Sequence, residues 1–185
     1  MISSIRSVFL LCLFFFVQVG LSLTALAVVD GSGSEIILPG SADVTRGTLA
    51  GGTFHDLGGS DNVDFSVRRS VSDLQSVVEV LVTGNSINAF PSAIEITIES
   101  AVFARSAIDQ EIYAYDHYAQ EFVLIDVRPA SKFFDRVDVA SIPGDAWHFV
   151  TPAAGTMVLK IRFVSQNKRQ QFAANIDQLV WTIYE

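Results

Sequence analysis

Cysteine is nearly absent from this chain: its 185 residues include only Cys12, in an apolar run near the N-terminus. One cysteine cannot form an intramolecular disulfide, so the folded domain must be stabilised by its core or by bound ions. The chain also has no Asn-x-Ser/Thr sequon. In an exported protein this usage is typical of bacteria rather than of small, disulfide-rich eukaryotic modules.

Positive charge is scarce as well, because 12 Lys and Arg residues stand against 20 Asp and Glu residues, giving a net charge of −8. An acidic surface repels the phosphate backbone, so nucleic acid is excluded as an expected partner. The basic pair Lys168-Arg169 lies between two predicted strands and is interpreted as a solvated hairpin tip.

Motifs for catalysis are missing. The chain has no Gly-x-Ser-x-Gly motif, and His55, His117 and His148 lack the spacing of zinc ligands. Glu95 and Glu99 share one face of a predicted strand, but four strand residues separate them by about 13 Å. Paired glycosidase carboxylates lie about 5–9.5 Å apart, so this pair is too far apart to act together. We therefore expect no enzyme activity.

The N-terminal residues have the features of a secretory signal peptide. Arg6 supplies a positive charge, Val8–Val17 form an apolar stretch, and Ala25-Leu26-Ala27 match the small-x-small cleavage pattern. The apolar stretch is shorter than the ~20 residues of a membrane span. We predict a signal peptide at residues 1–27, cleavage before Val28 and a secreted mature chain without a membrane span. The periplasm and the cell surface are alternative destinations.

The rest of the chain has a length that suits one domain. Residues 28–41 contain the run Asp30-Gly31-Ser32-Gly33-Ser34 and are predicted to be a flexible lead-in, with a candidate short strand at Glu35–Leu38. Residues 42–185 alternate between apolar and polar positions in short runs separated by turn residues. No run keeps a 3.6-residue period, and Gly144–Val150 are predicted to form one helical turn at most.

This pattern predicts an all-β fold: an antiparallel β-sandwich, jelly-roll-like, with eight or nine strands in residues 42–185 and the lead-in. The predicted strands are Glu35–Leu38, Val63–Arg68, Gln75–Gly84, Ser92–Ser100, Glu111–Asp116, Glu121–Val127, Phe133–Ala140, Met157–Val164 and Ile176–Tyr184.

Four segments, in a constant order, resemble a domain of secreted proteins from environmental bacteria. They are VTRGTLAGGTFHDLGGSDNVDF (Val44–Phe65), EIYAYDHYAQEFVLIDVRPAS (Glu111–Ser131), HFVTPAAGTMVLKIRF (His148–Phe163) and NIDQLVW (Asn175–Trp181). The resemblance implies an uncharacterised extracellular β-sandwich, similar to the galactose-binding or discoidin-like jelly rolls. It supplies no catalytic residues. Such domains often stand at the C-terminus of larger proteins, whereas we expect this one to stand nearly alone.

Three tyrosines are the candidate ligand-binding residues. Tyr113 and Tyr115 alternate on one face of a predicted strand, about 6–7 Å apart, and Tyr118 follows in the turn. Aromatic rings stack on sugar rings while polar neighbours bind the hydroxyls, so these residues indicate a carbohydrate site. The competing interpretation places the rings in the core. Four other aromatic residues are weaker candidates, because phenylalanine lacks a polar group and suits the core: Phe133, Phe134, Trp147 and Phe149.

The polar stretch Thr53–Val67 has two interpretations. Its oxygen-bearing side chains suit calcium, and the candidate metal ligands are Asp56, Asp61, Asn62 and Asp64, with Ser60 as a further donor. The spacing does not match an EF-hand loop, because the twelfth position from Asp56 is Val67. The favoured alternative is a turn entering a strand, with Val63, Phe65 and Val67 facing inward and the Asp and Asn side chains capping backbone groups.

The sequence thus favours a secreted, non-catalytic domain for binding or surface and matrix interaction, with carbohydrate as the ligand class. Its partner would be an extracellular glycan or a surface protein. Alternatives are a purely structural module in an extracellular assembly or adhesion, and a polysaccharide-acting enzyme. No cofactor is expected, apart from calcium under the alternative above. Exposed rings at Tyr113 and Tyr115 would favour binding, and buried rings would favour a structural role.

Overall fold

The computed structural model describes residues 27–29, 33–71 and 75–185. These residues form two antiparallel sheets, which confirms the predicted all-β sandwich. Two short 3₁₀ turns interrupt the strands, at Phe54–Leu57 and Ala146–Phe149. The twelve described strands are β1 (Ala27–Val29), β2 (Ser34–Ile37), β3 (Ser41–Arg46), β4 (Thr48–Gly51), β5 (Phe65–Arg68), β6 (Val77–Asn85), β7 (Ala93–Phe103), β8 (Ile108–Asp116), β9 (Glu121–Pro129), β10 (Arg136–Pro143), β11 (Thr156–Ser165) and β12 (Ala173–Tyr184).

The first sheet is built around β12. This strand pairs with β7 along one side, and β10 pairs with the far side of β7. On its other side β12 pairs with β5 in its first half and with β2 in its second half. Strands β4 and β1 then flank β5 and β2. A β-bulge between Ile176 and Gln178 lies between the two halves of β12.

The second sheet has the order β3-β6-β11-β8-β9, with every pair antiparallel. Strands β8 and β9 form a hairpin, as the resemblance at Glu111–Ser131 implied. Strands β11 and β12 belong to different sheets, so the connection holding Lys168-Arg169 crosses from one sheet to the other. The prediction of a hairpin tip at this basic pair is therefore wrong, although the residues do form a turn.

Alternation along the strands builds the core between the sheets. Ile94, Ile96 and Ile98 of β7 are at most 1% exposed, while the residues between them face outward. Strands β6, β11 and β12 also alternate between buried and outward-facing residues, as the apolar and polar alternation of the sequence predicts. Trp181 of β12 packs across the interior toward Gly84 of β6, where the absence of a side chain leaves room for the indole ring.

Several boundary predictions need correction. The segment 28–41, expected to be a flexible lead-in, contains most of β1 and all of β2, and β2 pairs with the central strand β12. The expected short strand at Glu35–Leu38 corresponds to β2. Strands β1, β3 and β4 raise the number above the predicted eight or nine. Strand β4 is exposed at every residue, so it has no inward-outward alternation that a sequence pattern could reveal.

The predicted signal peptide lies outside the described residues except for Ala27, and the predicted cleavage point before Val28 falls within β1. Within the described ranges, no helix has the length and apolar character needed to span a membrane.

Candidate functional site

The β8–β9 hairpin presents aromatic side chains on the outer face of the second sheet. Ile112 and Ala114 of β8 are buried in the core, so Tyr113 and Tyr115 point away from it. Antiparallel register places Phe122 of β9 directly opposite Tyr115. The predicted alternation of the two tyrosines is thus present, and their rings are half-buried on the outer face rather than in the core.

Tyr113, Tyr115 and Phe122 form a cluster with Lys160. The centroids of Tyr115 and Phe122 lie 5.1 Å apart in an edge-to-face arrangement. The Lys160 ammonium on β11 lies 4.6 Å from the ring centroid of Tyr113 and 4.0 Å from that of Phe122. These are cation–π distances, and they tie the three strands together on this face.

A charged network borders the rings. The Arg162 guanidinium pairs with Glu79 at 3.1 Å and with Glu111 at 2.6 Å. The Tyr113 hydroxyl donates to Glu111 at 2.9 Å. Burial, followed by that bond to a carboxylate, raises the pKa of Tyr113, so its hydroxyl stays protonated. The face therefore combines rings with oriented donors and acceptors.

A second group of rings lies where the β8–β9 turn meets the 3₁₀ turn Ala146–Phe149. The Tyr118 ring stacks on His148 with centroids 5.0 Å apart, and it lies 6.2 Å from Trp147. The Trp147 and His148 rings are 4.1 Å apart. These residues, with His117, Val150 and Pro152, line a small hollow of about 120 Å³.

His117 joins the two groups. Its ring lies 5.0 Å from that of Tyr115, and its backbone N–H donates to the carbonyl of His148 at 2.8 Å. We call the whole set the aromatic ridge, which consists of Tyr113, Tyr115, His117, Tyr118, Phe122, Trp147 and His148.

Asp116 holds the β8–β9 turn and His148 in place at the end of the ridge. Its buried carboxylate accepts the backbone N–H groups of Tyr118 and Ala119, both at 2.8 Å, and lies 3.4 Å from the His148 ring. Burial by itself would raise the pKa of Asp116, but the bonds from Ala119, Tyr118 and His148 outweigh it and lower that pKa. The carboxylate therefore stays ionised and holds both turns together.

His117 makes stability depend on pH. Burial lowers the pKa of His117 below its ordinary 6.5, despite a hydrogen bond to the backbone of Thr156 and the charge of Asp116. The unfolded chain therefore binds more protons than the folded one, so His117's contribution is complete above pH 6.5 and is lost as pH falls through the folded pKa.

We expect the free energy of unfolding to fall from pH 7 toward pH 5, with His117 adding at most about 1.4 kcal/mol per pH unit. Urea denaturation of the wild-type protein and of His117→Asn checks this, because the remaining titrating groups are common to both. The variant should show a flatter pH dependence in this window. Parallel curves would contradict the assignment.

The structure brings the three predicted tyrosines together, and the Tyr118 side chain is 76% exposed. Sequence reasoning missed Phe122, His117 and His148 as their neighbours. Trp147, a weaker candidate from the sequence, is 36% exposed and joins them, whereas Phe149 packs against the core as expected. Phe133 and Phe134 are also exposed, against prediction.

The candidate metal ligands are engaged in local turn contacts. The Asp56 carboxylate accepts the Thr53 N–H at 2.6 Å and caps the first 3₁₀ turn. Asp61 accepts the Val63 N–H at 3.0 Å, and Asp64 accepts from the Asn175 side chain. The turn interpretation accounts for these contacts, although Val63 is 48% exposed and does not face inward as predicted.

Asn62 adopts the left-handed conformation at φ 62°, which asparagine tolerates better than most residues. Beneath it the Asp177 carboxylate is 1% exposed and accepts backbone N–H groups of Asp61 and Asn62. Burial, followed by the charge of Glu99, raises the pKa of Asp177. In the part of the chain that the structure describes, no three His, Cys, Asp or Glu side chains are arranged to hold a metal. Calcium binding by this loop stays a prediction.

The two-sheet order defines a jelly-roll-like antiparallel β-sandwich. No protein-family model matches the chain, and no curated protein matches it. Similar solved structures include several carbohydrate-binding modules. A CBM4 structure shares 12% identity, covers 80% of this chain and 93% of its own, and gives a TM-score of 0.44.

TmCBM61 in complex with β-1,4-galactotriose shares 6% identity over 83% of this chain and 90% of its own, with a TM-score of 0.40. A CBM29-2 variant, from family 29, shares 10% identity over 76% and 90%, with a TM-score of 0.39. At these values the likeness is one of general architecture.

Proposed function

We propose that this protein is a secreted, non-catalytic module that binds a polysaccharide along the aromatic ridge. The observation that carries the proposal is that the β8–β9 hairpin and the 3₁₀ turn Ala146–Phe149 bring two ring clusters together on the outer face and at the end of the second sheet. Because these rings point outward, their exposed faces and edges are available to a ligand instead of packing in the core.

The ring chemistry suits sugars. The C–H faces of a pyranose are apolar and pack on aromatic rings, and the exposed Tyr118 ring with the partly exposed Trp147 ring offers such a surface. The hollow of about 120 Å³ beside them gives room for part of one sugar unit. The end group therefore supplies stacking.

The polar border supplies hydroxyl recognition. Arg162, Glu111 and the Tyr113 hydroxyl already form a hydrogen-bonded network, so their positions are set before a ligand arrives. Lys160 adds a cation next to the rings. Donors and acceptors held beside apolar surface are the composition that sugar-binding sites require.

The ridge is long enough for a chain of sugars. From Tyr113 to the end of β8 at Asp116 the strand spans roughly 10 Å, and His117 and the end group lie beyond that point. An extended face of this kind fits an oligosaccharide segment better than a free monosaccharide. The predicted export would place the protein where such polymers occur.

The test is binding to a panel of soluble polysaccharides by affinity electrophoresis, followed by calorimetry with the best ligand. We expect Trp147→Ala and Tyr118→Ala each to weaken affinity about ten- to a hundredfold, since aromatic residues at the centre of a contact dominate binding energy. Phe134→Ala is the matched control, because Phe134 is 78% exposed but lies outside the ridge.

The control variant should bind like the wild type, and all three variants should keep its melting temperature. Failure of the wild type to bind any polysaccharide would contradict the proposal and favour the structural-module alternative. Turnover of a polysaccharide during the assay would instead support an enzyme.

A further inference from the structure

A second concavity lies at the other end of the sandwich. It is an open cleft of about 560 Å³ bordered by three connections, namely β7–β8 (104–107), β9–β10 (130–135) and β11–β12 (166–172). We call it the end cleft. The lining residues that matter to the inference are Phe103, Arg105, Phe133, Asn167, Arg169 and Gln170.

The end cleft is separate from the aromatic ridge. Strand β8 starts beside the cleft at Ile108 and ends under the ridge at Asp116. Nine residues of strand span roughly 26 Å from the first to the last, so a ligand in one place does not reach the other unless it is long.

Two phenylalanines form the apolar wall of the cleft. The rings of Phe103 and Phe133 meet edge to face with centroids 6.1 Å apart, and the residues are 47% and 56% exposed. Phe133 has φ 67°, a left-handed conformation that is costly for a bulky side chain. Its N–H donates to the Val102 carbonyl at 3.1 Å, which helps to hold the strained backbone. Strain that leaves a large ring exposed is typical of functional positions.

Two arginines supply positive charge without partners of opposite sign. Arg105 and Arg169 both line the cleft, and neither forms an ion pair with any residue in the described ranges. By contrast, Arg128, Arg136 and Arg162 are all paired with carboxylates. Two uncompensated guanidinium groups at one cleft, in a chain of net charge −8, attract an anion there.

A buried amide adds a hydrogen-bond donor without a partner. Gln170 lines the cleft and is 8% exposed, and its Nε2 has no hydrogen-bond partner among the described residues. Its Oε1 faces the Ser165 hydroxyl at 3.5 Å. A buried donor left unbonded is costly, so a ligand oxygen that reaches it gains a bond the protein does not make by itself.

We infer that the end cleft is a second binding site, and that its ligand is a sugar unit carrying a carboxylate, a uronate. The planar carboxylate matches the guanidinium fork of Arg105 or Arg169. The apolar face of the sugar ring packs on Phe103 and Phe133, and a ring hydroxyl accepts from Gln170. A neutral sugar would leave both arginines without an anion.

Calorimetry with α-1,4-trigalacturonate tests the inference, in the absence of calcium. The same trisaccharide with methyl-esterified carboxylates is the uncharged comparison, and a sulfated galactose trisaccharide tests whether another anionic sugar serves equally well. We expect the trigalacturonate to bind, the ester to bind at least tenfold more weakly, and the sulfated sugar to bind more weakly than the uronate.

Arg105→Gln and Arg169→Gln should each weaken trigalacturonate binding about ten- to a hundredfold, the range for a charge-assisted pair. Arg46→Gln is the charge-matched control, since Arg46 bonds to Gln75 and does not line the cleft. Arg105→Lys keeps the charge but loses the guanidinium fork, so its affinity for trigalacturonate should lie between that of the wild type and that of Arg105→Gln.

Equal binding of the ester and the acid, equal effects of Arg46→Gln and the cleft variants, or no binding of trigalacturonate would overturn the inference. Preference for the sulfated sugar would overturn the assignment to a uronate. Trp147→Ala should leave trigalacturonate binding unchanged. The arginine variants therefore test the cleft inference, and the ridge variants test the proposed function independently.

Discussion

Gly155→Ala is expected to destabilise the protein by more than about 4 kcal/mol, and little folded protein should remain. A Cβ at Gly155 would lie 1.8 Å from the backbone oxygen of Ser86, and φ there is 65°. Left-handed backbone costs an alanine about 1–2 kcal/mol, and the overlap with Ser86 adds to it. The Ser86 N–H also donates to the Gly155 carbonyl at 2.9 Å, so neither backbone can withdraw without losing that bond.

Gly144→Ala separates the two causes. Gly144 has φ 62°, close to that of Gly155, but its added Cβ would meet nothing within 4 Å. This control variant should therefore lose only about 1–2 kcal/mol of the free energy of unfolding, the part caused by backbone strain. Chemical denaturation of both variants gives the comparison. Similar losses of stability for the two glycines would show that the contact with Ser86 is not the cause.

Gly155 also matters to the aromatic ridge. It closes the turn after Pro152, which lines the ridge hollow, and it precedes Thr156, whose backbone bonds to the His117 ring. A partly folded Gly155→Ala protein should therefore lose polysaccharide binding as well as stability. A tight turn in one connection thus helps to shape the proposed site.

The second large effect is expected for Trp181→Ala, which should lower the free energy of unfolding by about 3–5 kcal/mol. Trp181 is 1% exposed and is among the largest fully buried side chains of the core. Its removal leaves a cavity between the sheets that neighbouring side chains fill only in part. In thermal denaturation the loss corresponds to roughly 6–20 °C for a domain of this size.

A double-mutant cycle checks the contact between sheets. A Cβ on Gly84 would lie 3.0 Å from the Trp181 ring and 3.0 Å from Ile37, so Gly84→Ala should be destabilising by itself. Trp181→Phe shortens the ring and should reduce the cost of Gly84→Ala. Strictly additive losses would mean that the ring and the glycine do not meet as described.

Strand prediction succeeded where one face of a strand is buried. Ile94, Ile96 and Ile98 alternate with polar residues because β7 lies between β10 and β12 and covers the core on one side. It failed for β4, because an edge strand with both faces in solvent has no requirement for apolar residues at alternate positions. Backbone hydrogen bonds to β5 alone hold β4 in the sheet, and such bonds place few requirements on residue type.

The candidate site was predictable only in its local part. Tyr113 and Tyr115 share a face because side chains alternate along any strand. Phe122 joins them through the register of the β8–β9 hairpin, and Trp147 arrives from a turn about 30 residues later. The aromatic character of Phe133 suggested the core, yet its left-handed backbone leaves the ring in solvent.

The alternation of residue types therefore determined by itself that the chain folds into strands, which side of each long strand is apolar, and that two tyrosines lie together. Burial of apolar surface enforces that much at every strand, whatever its neighbours. Which rings meet at the ridge, and which cations gather at the end cleft, was decided only by the tertiary structure. Those groups come from connections far apart in the sequence, and no local pattern records which connections end side by side.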